Sequence, residues 1–414
     1  MHEMLASPGL CFVGRHNSGK TTIVVAVIAE LVRRGLDVGS IKHHGHRGFD
    51  IDVPGKDSYR HRHAGASETV VAAPDVMARI ATLPREQECS EILATMPGHD
   101  VVVVEGYRAS GLPRIEVMRQ GNHRDLEAAS DLLEFGFDSA EFRADAGQVG
   151  AAEGEGNIVG VATDIPGVAD LARRKGLPVF ELAAADSPAF PSFIAGLCDF
   201  IQARFTRPKV TVAIQAGGES RRMGTSKALA DFNGEPLVAR LVRRLAPAAD
   251  EIIITTHGGD DLDFLANRFP TVNVRVVPDV CEQRGTLAGL LTAFEAAAHE
   301  VVAVVACDMA FAAPTLVAAE VDRLVRTGAG AVAPLNAHGF EPLHAVYDRD
   351  TCAPVARRLV EQGDLRARDL LEQVGCEGLT QDDVRQAVPM GGCFANANTP
   401  DELEKLRTLD QHRA

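Results

Sequence analysis

Two glycine-rich loops, each placed directly after a short apolar run, limit what this chain can fold into more than any other feature. The first loop spans residues 14–21 and follows the apolar run 10–13. The second spans residues 215–227 and begins at the last residue of the apolar run 210–215. A strand, a glycine-rich loop and then a helix form a phosphate-binding arrangement, because backbone N–H groups and the helix N-terminus face the anion. Two such loops predict two nucleotide sites.

With 414 residues the chain is too long for one ordinary domain. We expect domains at residues 1–205 and 209–414, joined by a very short linker. In both halves short apolar runs alternate with segments of helical period, which predicts two doubly wound α/β domains with mostly parallel sheets. The first would be P-loop NTPase-like and the second Rossmann-like. The expected strands are 10–13, 38–42, 68–72, 101–104, 115–118, 158–162 and 178–182 in the first half, and 210–215, 251–256, 272–277, 301–306 and 331–334 in the second.

Charge and composition exclude several classes of protein. The net charge is −15, divided almost evenly between the halves, so neither half offers a basic surface for nucleic acid. No apolar stretch reaches the roughly 18 residues of a membrane-spanning helix, which predicts no membrane partner. The eight cysteines include no Cys-x-x-Cys pair, and the first residues lack the features of a signal peptide. These observations predict a cytoplasmic protein with reduced thiols.

The first loop matches the pattern G-x-x-x-x-G-K-T in full. Its glycines allow backbone N–H groups to surround phosphate oxygens. Lys20 would contact the β and γ phosphates, and Thr21 would ligate Mg²⁺. The predicted nucleotide contacts are Gly14, Asn17, Ser18, Gly19, Lys20, Thr21 and Thr22.

Glu105 follows the apolar run 101–104 and has the position of a Walker-B carboxylate reaching toward the metal. The alternative is an ordinary carboxylate at the end of a strand. No guanine-reading N-K-x-D motif is present, and Thr163-Asp164 is a candidate substitute because a carboxylate can accept hydrogen bonds from guanine N1 and N2.

Five histidines lie between His43 and His63. A zinc site is one interpretation, but no cysteine accompanies the histidines and their spacing matches no metal pattern. We favour a polar loop over the phosphates, in which Asp50 and Asp52 either support Mg²⁺ through water or are simply solvated.

Several motifs of the first half together resemble one family. They are the P-loop, Ile41-Lys42-His43, the stretch 52–59, Ala64-Gly65-Ala66 and Val104-Glu105-Gly106-Tyr107. Residues 8–205 are similar to the MobB-type, GTP-binding adaptor family of molybdopterin guanine dinucleotide synthesis. The resemblance implies a protein that binds GTP and hydrolyses it weakly. No glutamine that would position an attacking water is identifiable, in agreement with weak hydrolysis.

In the second half, Asp308 comes two residues after the end of the apolar run 301–306, so its carboxylate is expected to project into the cleft and to bind Mg²⁺. The second loop is not a Walker loop. With the motifs at 232–237, 278–279, 285–289, 307–309 and 394–400 it resembles the MobA-type molybdenum cofactor guanylyltransferases, over about residues 209–408. The resemblance implies nucleotide contacts by Gln215, Ala216, Gly217, Gly218, Lys227, Thr255, Asp279 and Asp308, with the metal on Asp308.

Two positions depart from the family pattern. Ser226 stands where the family has an aspartate before the lysine, and Thr255 stands where we place its nucleotide-contacting asparagine. Other assignments have open alternatives. Asp279 could begin a turn, Arg222 could be a surface charge, and Asn396 and Asn398 could shape the pterin pocket or be turn residues.

The resemblances imply transfer of GMP from Mg-GTP to the terminal phosphate of Mo-molybdopterin, with release of pyrophosphate. Lys227 and Arg222 would neutralise charge and Asp308 would act through Mg²⁺. The implied partners are GTP, molybdopterin, molybdoenzymes and other proteins of molybdenum cofactor synthesis. Two alternatives are a cytidylyl or sugar-1-phosphate transferase with a GTP-binding module, and a GTP-regulated cofactor carrier without catalysis.

Overall fold

The computed structural model of this protein describes residues 5–45, 48–137, 158–217, 226–257, 262–281, 283–337 and 339–412. The chain divides into two compact units. The N-terminal unit is Ser7–Arg207, and the C-terminal unit is Pro208–Ala414 with Met1–Ala6. Within the described ranges no helix combines the length and the apolar character needed to cross a bilayer. All eight cysteines are free thiols.

The N-terminal unit contains eight strands and six helices in its described part. The strands are β1 (Gly9–Val13), β2 (Val38–Lys42), β3 (Glu68–Ala72), β4 (Met77–Ala81), β5 (Val101–Glu105), β6 (Arg114–Met118), β7 (Ile158–Thr163) and β8 (Val179–Glu181). The helices are α1 (Lys20–Arg33), α2 (Asp57–His63), α3 (Cys89–Leu93), α4 (His123–Phe135), α5 (Pro166–Arg174) and α6 (Phe190–Arg204).

Six of these strands form a parallel sheet in the order β2-β5-β1-β6-β7-β8. Alternate residues of β1 face opposite layers of helices. Leu10 and Phe12 pack in the cluster formed with α1 and α6, and Cys11 and Val13 pack in the cluster that contains Cys89 of α3. Because both faces of a parallel sheet are buried, its strands are apolar throughout, which is why the continuous run 101–104 predicted a strand correctly.

The prediction for residues 68–72 was correct in type and wrong in place. This segment is β3, and it pairs only with β4, as an antiparallel two-stranded sheet separate from the parallel one. Four of its five residues are exposed and only Thr69 is buried, so its valines do not mark a central strand. The apolar composition of a short strand does not reveal which sheet it joins.

The C-terminal unit contains ten strands, eight α-helices and a 3₁₀ turn at Ala246–Ala248 in its described part. The strands are β9 (Val210–Gln215), β10 (Asp231–Phe232), β11 (Glu235–Pro236), β12 (Glu251–Thr256), β13 (Val274–Pro278), β14 (Val301–Ala306), β15 (Ala331–Asn336), β16 (Gly339–Phe340), β17 (His344–Asp348) and β18 (Cys376–Leu379). The helices are α7 (Leu237–Leu245), α8 (Phe264–Arg268), α9 (Thr286–Ala296), α10 (Pro314–Thr327), α11 (Arg349–Glu361), α12 (Ala367–Val374), α13 (Gln381–Ala387) and α14 (Pro400–Gln411).

The main sheet of this unit has the order β13-β12-β9-β14-β17-β15-β16, with β18 beside β15. Strands β13, β12, β9 and β14 are parallel, whereas β17 is antiparallel to both of its neighbours. One face packs on α7 and α10, and the other packs on α9, α11 and α12. The parallel strands therefore end at a common edge, where the second glycine-rich loop begins.

A buried carboxylate at the start of β12 joins three elements. Glu251 is 1% exposed and accepts hydrogen bonds from Arg275 at 2.6 Å, from the Thr211 hydroxyl at 2.8 Å and from the Ala298 N–H at 2.9 Å. Burial raises the pKa of Glu251, but the hydrogen bonds and Arg275 outweigh it and hold the pKa below its usual value of 4.5.

We therefore predict a pH-dependent loss of stability on replacing Glu251 by glutamine. A carboxyl with a lowered folded-state pKa stabilises the fold above its unfolded pKa, and this stabilisation is lost as the pH falls through the folded value. E251Q should lower the free energy of unfolding by about 2 kcal/mol at pH 7. Urea denaturation should show that the free energies of unfolding of E251Q and of the native protein become more similar below pH 4. A constant difference from pH 7 to pH 3 would contradict the assignment.

Candidate nucleotide-binding sites

The first glycine-rich loop lies at the carboxyl end of β1, in the middle of the parallel sheet, as expected. Gly19 caps α1 with φ +86° and Asn17 has φ +67°, so two residues of the loop adopt the left-handed conformation. Gly14 is required for a different reason. A Cβ atom at this position would lie 2.5 Å from the carbonyl oxygen of Val117 on β6. The loop therefore has no room for a side chain where it leaves the sheet.

A hydrogen-bond network that was not predicted holds the first glycine-rich loop in place. The Ser18 hydroxyl donates to the Arg15 carbonyl at 2.7 Å and lies 3.1 Å from Asp125 Oδ1. The other oxygen of Asp125 accepts from Asn122 Nδ2 at 2.9 Å and from the Arg119 N–H at 3.0 Å. Asn122 caps α4. The N-x-x-D spacing at a helix start was a visible signal, but its link to the loop depends on contacts more than 100 residues apart.

The two predicted metal ligands of this unit touch each other. The Thr21 hydroxyl donates to Glu105 Oε1 at 2.6 Å, and Lys42 Nζ lies 2.9 Å from the same oxygen. Lys20 Nζ donates to the Arg15 carbonyl at 2.5 Å, and burial, the largest influence on it, lowers its pKa. Thr22 is exposed on α1. Hydroxyl and carboxylate oxygens are ligands that suit Mg²⁺.

Three of the four described histidines of the 43–63 region, His43, His44 and His63, make ring contacts. His43 Nε2 also lies 2.6 Å from Glu86 Oε1. His46 lies outside the described residues. Among those that are described, no three His, Cys, Asp or Glu side chains converge as a metal site. The candidate guanine-reading Asp164 accepts from the Gln120 N–H at 2.5 Å. The stacked pairs are His43 with Tyr107, His44 with Phe49, and His63 with Tyr59.

In the C-terminal unit the candidate site lies at the carboxyl ends of β9, β12 and β14. The Gln215 carbonyl accepts from the Cys307 N–H at 3.0 Å, and the Ala216 N–H donates to the Thr255 carbonyl at 2.9 Å. The Gln215 carboxamide packs on Gly289 of α9, where a Cβ atom would meet it at 3.0 Å. The second loop thus starts from a fixed position between two strands.

Lys227 and Asp308, which the sequence analysis placed at this site, are brought together. Lys227 Nζ lies 3.2 Å from Asp308 Oδ2 and donates to Asn398 Oδ1 at 2.7 Å. The Ala397 N–H donates to the Asp308 carbonyl at 2.9 Å, and Glu402 in the first turn of α14 accepts from the Asn398 N–H at 2.8 Å. Asn398 is therefore more than a turn residue, because it positions Lys227.

Asp279 is paired with a residue that the sequence analysis did not consider. His257 Nδ1 lies 2.5 Å from Asp279 Oδ2, and both side chains border Gly217, where a Cβ atom would lie 3.1 to 3.2 Å from them. Thr255 is only 1% exposed, so His257, two residues later, presents the polar side chain at the end of β12. A polar residue directly after a buried strand was the signal that pointed to it.

Some predicted residues cannot be placed. Gly218 and Arg222 lie outside the described residues.

Asn396 forms a β-bridge with Met309, next to Asp308. Glu341 lies close enough to Asp308 for the negative charge of Asp308 to affect its pKa. Burial raises the pKa of Glu341, and Asp308 adds to that shift.

The two sheets, each with a glycine-rich loop at the carboxyl edge, define the class: an α/β protein in which a P-loop unit precedes a unit of nucleotidyltransferase type. Two family models match it. Residues 10–134 match "Molybdopterin guanine dinucleotide synthesis protein B", and residues 212–379 match "MobA-like NTP transferase domain".

Individual relatives agree with both matches. The chain is 37% identical over 129 residues to the molybdopterin-guanine dinucleotide biosynthesis adapter protein of Escherichia coli, which covers 30% of this chain and 73% of that protein. It is 32% identical over 202 residues to a Natronomonas pharaonis protein named "Probable molybdenum cofactor guanylyltransferase", covering 48% of this chain and 96% of the relative. The molybdenum cofactor guanylyltransferase of Desulfosudis oleivorans is 29% identical over 197 residues, 47% of this chain and 93% of that protein.

The chain belongs to these families, with a MobB-type N-terminal part and a MobA-type C-terminal part. It is a nucleotidyltransferase of molybdenum cofactor biosynthesis. The predicted family, fold class and type of enzyme are confirmed.

Proposed function

We propose that the chain transfers GMP from Mg-GTP to the terminal phosphate of Mo-molybdopterin, giving the guanine dinucleotide cofactor and pyrophosphate. The observation that carries the proposal is the Lys227–Asp308 pair, 3.2 Å apart at the carboxyl edge of the sheet, inside the segment that matches the MobA-like family. Ligands of open α/β sheets bind at this edge, and a lysine beside a carboxylate supplies the charges that phosphoryl chemistry needs.

The reaction requires charge neutralisation and alignment more than proton transfer. A phosphate nucleophile is already ionised at neutral pH, so no general base is needed. Lys227, held by Asn398, neutralises charge that develops on the triphosphate. Asp308 fits a magnesium site, because its carboxylate is 18% exposed and lies 3.2 Å from Lys227. When bound there, Mg²⁺ would polarise the α-phosphate. Arg222 is proposed to add positive charge.

Base recognition is assigned to the Asp279 side of the crevice. His257 at 2.5 Å orients the Asp279 carboxylate. A carboxylate in a fixed orientation suits the adjacent N1–H and N2–H donors of guanine, whereas the cytosine edge offers only one such donor group. Gln215, Ala216, Gly217, Gly218 and Thr255 complete the proposed nucleotide contacts.

The N-terminal unit is proposed to bind GTP through residues 14–22, with Mg²⁺ on Thr21 and Glu105, and to hydrolyse it slowly. The fit to the metal is the pair of oxygen ligands already 2.6 Å apart. The proposed partners are GTP, molybdopterin, molybdoenzymes and other proteins of cofactor synthesis, in the cytoplasm and without nucleic acid or membrane.

Incubation of the purified chain with molybdopterin, molybdate and either Mg-GTP or Mg-CTP tests the proposal. We expect pyrophosphate release and a guanine dinucleotide product by mass analysis, with GTP preferred by at least about 100-fold in kcat/KM. Preferred turnover of CTP would favour the cytidylyl alternative. Tight binding of the finished dinucleotide without turnover of GTP would favour the carrier alternative.

A further inference from the structure

Lys42 lies beside the Thr21–Glu105 pair because of the strand register. Strands β2 and β5 are parallel neighbours, and Lys42 is the partner of Glu105 in that register. Its Nζ atom is 2.9 Å from Glu105 Oε1 and 3.3 Å from Thr21 Oγ1, so one ammonium group contacts both oxygens proposed as metal ligands. The positive charge stands where a divalent cation shared by these oxygens would have to approach.

The backbone at this point is fixed, whereas the lysine side chain is not. The His43 N–H donates to the Glu105 carbonyl at 2.9 Å, and the His43 ring stacks on Tyr107 with 4.3 Å between the ring centroids. The Lys42 side chain is 58% exposed, while Glu105 is 12% exposed. The Lys42 side chain can therefore move into solvent without a shift of β2. The Glu105 carboxylate stays in place and faces whichever cation is present.

We infer that Lys42 is the resident counter-cation of the Thr21–Glu105 pair, and that a divalent metal ion must displace it. Its charge keeps the affinity of the empty site for a free metal ion low. When the metal arrives with a nucleotide, the negative phosphates offset the repulsion between the two cations and offer the lysine a new partner. Lys42 thus couples metal binding to nucleotide binding. The inference depends on the metal site proposed for the N-terminal unit and not on guanylyl transfer.

The test uses Mn²⁺ alone as the probe, with free Mn²⁺ measured by electron paramagnetic resonance. The parent is the full chain carrying Asp308→Asn, which removes the carboxylate proposed to bind metal in the other unit. Adding Lys42→Met should tighten Mn²⁺ binding about tenfold, as removal of one like charge a few ångströms away implies. Lys42→Arg is the matched control, because it keeps the charge, and should stay within about twofold of the parent.

Two further measurements complete the test. Adding Glu105→Gln to the Lys42→Met protein should abolish the gained Mn²⁺ affinity. With a slowly hydrolysed GTP analogue present, the gain in Mn²⁺ affinity of Lys42→Met over the parent should become smaller or change sign. Equal Mn²⁺ affinities of the parent and Lys42→Met, or a gain that survives Glu105→Gln, would overturn the inference. If GMP transfer is absent and the Mn²⁺ response is present, the proposed function fails while this inference stands.

Discussion

Replacing Asp308 by asparagine is expected to reduce GMP transfer by about a thousandfold while the C-terminal unit remains folded. The amide keeps the volume of the side chain but loses the charge that would hold Mg²⁺ and that faces Lys227 at 3.2 Å. The backbone contact from Ala397 to the Asp308 carbonyl does not depend on that charge. The loss should therefore appear in kcat, with the melting temperature nearly unchanged.

Asp322→Asn is the matched control for this experiment. Asp322 is 73% exposed on α10 and contacts only Arg326, one turn away on the same helix, among the ion pairs of the described chain. Its loss should change neither rate nor stability measurably. Pyrophosphate release and the mass of the pterin product measure the effect. An Asp308→Asn protein that transfers GMP at the native rate would remove Asp308 from the proposed mechanism.

Replacing Gly14 by alanine is expected to weaken nucleotide binding at the N-terminal unit strongly. The added Cβ atom would lie 2.5 Å from the Val117 carbonyl oxygen, which is a backbone atom of a buried strand and cannot move aside cheaply. The loop must shift instead, and its N–H groups then no longer surround the phosphates. We expect affinity at this site to fall about 100-fold and the free energy of unfolding to fall by about 2 kcal/mol.

Calorimetry with a slowly hydrolysed GTP analogue measures this effect, since the number of sites per chain should fall from two to one. The control is Gly196→Ala in α6, where the added methyl group would meet nothing within 4 Å apart from its chain neighbours and the nearby backbone of its own helix. That substitution should raise stability by about 0.5 to 1 kcal/mol and leave both sites intact. Two intact sites in the Gly14→Ala protein would show that the loop tolerates a side chain there.

Much of the fold follows from the sequence because buried parallel strands have an unmistakable local pattern. The runs 101–104 and 301–306 are apolar throughout. Glu105 is the last residue of the first strand, and Asp308 lies two residues after the end of the second. Strand β17 was not predicted. Its antiparallel pairing with β14 and β15 depends on contacts about 40 and 15 residues away, and no local pattern encodes them.

The candidate sites show the same division between local and distant information. Lys20, Thr21, Lys227 and Asp308 could be predicted, because short motifs place them at strand ends. His257, Asn122 and Lys42 acquire their roles only from partners 22 or more residues away, Asp279, His16 and Glu105 respectively. The position in the strand points to Thr255, but Thr255 is buried, and His257, directly after the strand, contacts Asp279.

The bond from Lys227 to Asn398 has a consequence for biosynthesis. The hydrogen bonds given above for the first glycine-rich loop join residues within Ser7–Arg207, so the loop can form them when half of the chain has left the ribosome. Lys227, in contrast, waits for a partner 171 residues later, next to the last helix. During translation the loop proposed to bind GTP can therefore complete these hydrogen bonds first, whereas Lys227 can pair with Asn398 only when nearly all of the polypeptide has emerged.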